Sequence, residues 1–172
     1  MGRFTQENIS VEVKSLERQE KTYLELKFPN LLMELGISSN PREKLMIKID
    51  YSSSWKGQDT EVVLFNKYGF LGRVVVNKIN QVLVQKLVAY TTRKTTQPRD
   101  IYDIVWLYSQ KAVVDIDFAL VNGHKDLVES ALRKYESEGV SHSFKNKLEP
   151  FLFNSQDVKK LDLLGEVLMN LK

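Results

Sequence analysis

The sequence predicts an α+β fold, a small antiparallel or mixed sheet followed by a helical half. Two observations predict it. Apolar and polar residues alternate with a period of two before residue 77, and apolar residues recur at spacings of three and four after it. The chain has 172 residues, 42% hydrophobic and 27% charged, which is the size and balance of about one water-soluble domain with its own core. The expected organisation is a β-rich part at 1–77 and a helical part at 78–172.

The stretch from Ile9 to Leu16 is expected to open the sheet. Next, Thr22, Leu24, Leu26 and Phe28 alternate with Tyr23, Glu25 and Lys27, the pattern of a half-buried strand that Pro29-Asn30 stops. After a loop from Gly36 to Pro41, Leu45, Ile47 and Ile49 form one face and Met46, Lys48 and Asp50 the other. The runs Val62 to Phe65 and Leu71 to Val76 flank Tyr68-Gly69 and read as a hairpin. Ile79, Val82, Leu83, Leu87 and Tyr90 then mark one face of a helix running to about Lys94. Pro98, just inside a Thr or Gln cap and followed by Asp100, starts the next helix, with Ile101, Ile104, Val105 and Tyr108 as its apolar stripe. Further helices are expected at 119–136, interrupted near Asn122-Gly123, and at 156–171. Trp55 and Trp106 are assigned to packing.

Composition excludes several classes. There is no cysteine, hence no disulfide framework and no thiolate site, and two histidines make no zinc site without carboxylates. No apolar run approaches the roughly 18 residues of a membrane helix, and no cleavable signal pattern is evident, so a cytoplasmic protein without a membrane segment is expected.

The net charge of +3 conceals a local asymmetry. From Val62 to Arg99 there is no acidic residue, while Lys67, Arg73, Lys78, Lys86, Arg93, Lys94 and Arg99 supply seven positive charges. The other 134 residues carry 18 basic against 22 acidic side chains, a net −4. Such a segment suits contact with phosphate or another polyanion, and equally a solvated face that balances acidic helices. At its end Arg99, Asp100 and Asp103 open a helix on roughly one face. Two carboxylates side by side need a cation, which could be Arg99, a lysine brought in by the fold, or a divalent metal. Acids in a first turn also favour the helix dipole, by roughly 0.3–1 kcal/mol each. Asp50, closing its strand beside Lys48, is a further carboxylate that a fold could aim into a cleft or leave in solvent.

The stretch Val84-Gln85-Lys86-Leu87-Val88-Ala89-Tyr90, then Arg93, then Arg99-Asp100-Ile101-Tyr102-Asp103-Ile104 with Leu107, resembles the AbiEii/AbiGii nucleotidyltransferase toxin family. So does the upstream strand Leu45 to Asp50 with Ser52, and the resemblance spans roughly Leu45 to Gln110. It implies part of a nucleotidyltransferase fold. It also implies transfer of a nucleoside monophosphate from a nucleoside triphosphate, with Mg²⁺, to a tRNA, another RNA or a protein acceptor, by a toxin paired with an antitoxin in type IV toxin–antitoxin and phage-defence systems. On that resemblance Lys86, Thr91, Arg93 and Arg99 are the nucleotide- and phosphate-binding candidates, and Asp100, Asp103 and Asp50 the catalytic ones.

The family's superfamily places a glycine turn and an Asp-x-Asp pair ahead of this region, and no residue before Leu45 supplies them. Asp115-Ile116-Asp117 is an Asp-x-Asp, but it follows the lysine helix and reads as a helix entry. No resident metal ligands are therefore assigned, and the chain is expected to be incomplete or inactive alone. The alternative is a non-catalytic remnant or binding module that contacts an antitoxin, a nucleic acid or a second subunit. Uncovered sheet edge would favour self-association or a stable partner.

Overall fold

The computed structural model of the chain describes residues 9–18, 21–67 and 69–172. The chain divides into two compact units, Met1–Trp55 and Lys56–Lys172.

In the first unit, β1 (Glu12–Arg18), β2 (Lys21–Pro29) and β3 (Lys44–Ser52) form an antiparallel sheet in that order. The alternation in β2 sets the register: Leu24, Leu26 and Phe28 lie opposite Ile49, Ile47 and Leu45 of β3. Glu25 is opposite Lys48 and forms ion pairs with both Lys48 and Lys27. Pro29 ends β2 because it cannot donate to a ladder, and Asn30 turns the chain at φ 65° into the short α1 (Leu31–Glu34). The opening strand runs from Glu12 to Arg18 rather than from Ile9.

The second unit starts with a two-stranded hairpin, β4 (Thr60–Lys67) and β5 (Phe70–Asn77), with Val62 opposite Val75 and Val63 opposite Val74. Gly69 turns it at φ 74°, a conformation open to glycine at no steric cost, and Tyr68 lies outside the described residues. The half-buried strand expected from the alternation is not found in β3, and the β4–β5 hairpin is exposed as well, Val76 excepted. Every residue of β3 and β4 is exposed, and Phe28 in β2 is the buried strand residue among those described. Alternation reports two different faces; burial needs a second layer over one of them.

That layer exists among the helices. α2 (Ile79–Thr92), α3 (Pro98–Ser109), α4 (Ile116–Val121), α5 (Leu127–Glu138), α6 (His142–Leu148) and α7 (Leu164–Asn170) build the core. Leu83, Leu87, Ile101, Ile104, Ala131, Leu161, Leu164 and Leu168 are fully enclosed. The α2 stripe is rotated from the expected one: Val84 and Val88 are buried with Leu83, Leu87 and Tyr90, while Ile79 and Val82 are half-buried. Gln81 is buried because its amide is used: it accepts from the Asp59 N–H and donates to the Gly57 carbonyl, tying the hairpin's approach to α2.

The break expected near Asn122-Gly123 is present, with Gly123 at φ 84°, and separates α4 from α5. Three expectations are corrected. Trp106 faces solvent, 44% exposed, because Leu107 takes the buried place. The first of the two helices begins at Ile116 rather than Ala119. The final segment winds as a 3₁₀ helix from Ser155 to Leu163 before α7 begins. Its spacing explains the change: Val158, Leu161 and Leu164 are three apart, which eclipses in a 3₁₀ helix, whereas Leu164, Val167 and Leu168 follow the α period. α6 had no clear apolar signal, with only Phe144 and Leu148 spaced to suit it.

Candidate active site

α2 and α3 are antiparallel neighbours joined by a short connection, residues 93–97. Lys86 and Arg93 are two helical turns apart along α2, and Asp100 and Asp103 one turn apart on α3. The antiparallel packing sets them in two rungs. Lys86 Nζ lies 2.7 Å from Asp103 Oδ2, each side chain about one-third exposed. Arg93 Nη1 donates a short, charge-assisted hydrogen bond to Asp100 Oδ2. The cation that these carboxylates require is therefore a lysine for one and Arg93 for the other, and Arg99 is neither.

The two rungs differ in environment. Asp100 is 1% exposed, and its second oxygen, Oδ1, has no hydrogen-bond partner. Burial pushes its carboxyl above the ordinary range, against the opposing pull of Arg93, Lys86 and Arg99. Asp103 and Lys86 form the rung in which both partners reach solvent. Lys134 of α5 supports the buried rung from behind, donating to the carbonyls of Tyr90 (2.8 Å) and Arg93 (3.0 Å) at the end of α2. Nothing in the sequence points to Lys134, which lies 41 residues from Arg93.

The other candidates are placed differently. Thr91 donates its hydroxyl proton within its own helix, to the carbonyls of Leu87 and Val88. Arg99 is exposed and lines a groove of about 380 Å³ with Gln97, Pro98, Lys147, Leu148 and Phe151. Asp50 belongs to the first unit, exposed on β3 opposite Tyr23. Asp115 caps α4, its Oδ1 accepting from the Phe118 N–H at 2.9 Å, so this Asp-x-Asp is a helix entry. Of the seven cations in the acid-free stretch, Lys78, Lys86 and Arg93 pair with Asp59, Asp103 and Asp100. The stretch is thus not one free cationic face.

A family model described as "Nucleotidyl transferase AbiEii toxin, Type IV TA system" matches residues 1–160. The chain belongs to the AbiEii nucleotidyltransferase toxin family. No curated protein and no solved structure matches it. AbiEii membership in type IV toxin–antitoxin systems implies an antitoxin partner. Nucleotidyltransferases use a nucleoside triphosphate and a divalent metal, and the residues described in this AbiEii chain do not fit the metal. Among the described residues no three His, Asp or Glu side chains gather as a metal site, and Asp100 and Asp103 are each already neutralised by a cation. Among the described residues no helix is long and apolar enough to cross a membrane.

Proposed function

We propose that the α2–α3 rungs form the phosphate-facing side of a nucleotidyl-transfer site, acting on a nucleoside triphosphate and an RNA or protein acceptor. The observation that carries this reading is the open Lys86–Asp103 pair beside the buried Arg93–Asp100 pair. In the transfer an acceptor hydroxyl oxygen bonds to the α-phosphorus, the bond to the β-phosphate bridge breaks, and pyrophosphate leaves. Lys86 exchanges its carboxylate for triphosphate oxygens as charge builds on the leaving group, a task for a compact ammonium. Freed by that exchange, Asp103 accepts the hydroxyl proton or orients the acceptor. Asp100 locks Arg93, whose exposed edge contacts phosphate, and Arg99 contributes from the groove. Thr91 and Asp50 remain candidates of the same site, for phosphate and for catalysis respectively.

No step is assigned to metal ligands within the described residues. The groups that hold Mg²⁺ then come from outside them, on the same or another polypeptide, and the chain by itself is inactive or weakly active. The second reading is a binding module contacting the antitoxin, a nucleic acid or another subunit; the neutral, already satisfied ion pairs favour it. Transfer of labelled nucleotide onto tRNA or protein separates the two. Transfer by wild type that falls at least a hundredfold in Lys86→Ala supports the enzyme. Transfer is assayed with the chain alone and in a lysate of the cells that express it, which supplies any metal-holding polypeptide; antitoxin binding that persists in Lys86→Ala, with no transfer by wild type in either setting, supports the module.

A further inference from the structure

The β4–β5 hairpin is anchored at the end that adjoins α2 and leaves its apolar side chains exposed. Val62, Leu64 and Val75 on one face are 64%, 69% and 66% exposed, and Val63, Phe65 and Val74 on the other 37%, 39% and 42%. A two-stranded hairpin alone is marginally stable in water, whereas three or more strands are not. Among the described residues β4 pairs with β5 alone, so its outer edge offers unpaired backbone groups as a template for another strand.

The sequence of that edge specifies its complement. Glu61-Val62-Val63-Leu64-Phe65-Asn66-Lys67 has an acid and a base equidistant from Leu64 and no glycine or proline between them. A two-fold axis through Leu64, normal to the sheet, sets Glu61 opposite Lys67 of a second copy and Val63 opposite Phe65. Both pairs fall on one face because their separations are even. Slipping the register by two residues sets Glu61 against Phe65 or Gly69 and removes both ion pairs; the first slip brings Lys67 to Asp59, which lies outside the strand and is already paired with Lys78. The β5 edge has no such symmetry: it holds Gly72 and Arg73 with no acid, and an axis through Arg73 would place like charges together. We propose that a second copy of this chain docks on the free edge of β4, making a four-stranded antiparallel sheet about a two-fold axis at Leu64. The interface is isologous and closed, and it stands independently of the nucleotidyltransferase reading.

Sedimentation equilibrium of the full chain tests this. Wild type is expected to be a dimer. Glu61→Lys and Lys67→Glu each place two like-charge pairs across the axis and should weaken association at least about tenfold. An equimolar mixture of these two variants restores both ion pairs and should dimerise as wild type does, as should the double variant Glu61→Lys/Lys67→Glu. Far-ultraviolet circular dichroism checks that each variant keeps the fold. A monomeric wild type overturns the proposal. So does a dimer indifferent to the single reversals, or one whose loss neither the mixture nor the double variant repairs.

Discussion

At the residue scale, Asp100 couples burial to protonation, a carboxylate 1% exposed between α2 and α3. In the unfolded chain Asp100 ionises near pH 4, about the ordinary aspartate value. In the folded protein burial holds its proton to higher pH. The folded state therefore binds more protons through the interval that starts at the unfolded value and ends at the raised one. Stability contributed by this group falls as pH rises across that interval and is constant beyond it. Urea unfolding of wild type and Asp100→Asn across this range should show their difference shifting in favour of Asn as pH rises; the opposite slope would mean that Arg93 outweighs burial. Removing the partner is the more severe change. Arg93→Met leaves Asp100 buried without its paired cation and should cost about 3 kcal/mol, the low end for a broken buried pair because Arg93 is part-exposed and Lys86 and Arg99 remain near. The double change Arg93→Met/Asp100→Leu should recover most of that loss. Tyr90 is the contrasting case: its hydroxyl is buried with no partner, and burial pushes its pKa up to about 12. Tyr90→Phe removes an unsatisfied group and keeps the ring beneath Lys134, so its unfolding free energy should equal or exceed that of wild type.

At the element scale, the site depends on how helices end and how closely they pack. The last turn of α2 presents Arg93, and its carbonyls are held by Lys134, whose side chain is only 12% exposed. Lys134→Met keeps the packing stem and removes two charge-assisted hydrogen bonds, for an expected loss of about 2 kcal/mol by urea unfolding. α5 also meets α7 at Gly165, where an added Cβ would stand 2.6 Å from the Tyr135 ring. Gly165→Ala should destabilise by about 1–3 kcal/mol despite alanine's better helix propensity, and Tyr135→Ala should relieve most of that clash. A Gly165→Ala protein as stable as wild type would show that the α5–α7 contact yields.

At the scale of the whole molecule, protection is unevenly distributed. The buried apolar side chains lie mostly on α2, α3, α5 and α7, with others on α4, α6 and the 3₁₀ segment, and Phe28 is the one described on a strand. Amide hydrogen exchange should be slowest in those helices and faster in β1–β3, and an isolated monomer should show fast exchange in β4 and β5. How much of this was legible in the sequence varied by element. β2 and β3 followed from alternation, the hairpin from two apolar runs flanking Tyr68-Gly69, and α3 from Pro98 and its stripe, because these signals are local. α6 and the 3₁₀ segment from Ser155 were not legible. One has few apolar residues, and the other has a spacing of three that both helix types accommodate at first sight. Of the site, Lys86, Arg93, Asp100 and Asp103 were all marked by residue type and order, but their pairing was not.

The sequence by itself determined the α+β class, the passage from strands to helices, the acid-free stretch and the four charged residues that meet between α2 and α3. Family membership rests on the same string. The tertiary structure alone decided that Arg93 rather than Arg99 neutralises Asp100, that Asp103 is the open carboxylate, and that Lys134 secures the end of α2. It also decided that an apolar hairpin stays uncovered. The physical reason is common to all four: spacing along a chain fixes which side chains share a face, and only packing fixes what that face meets.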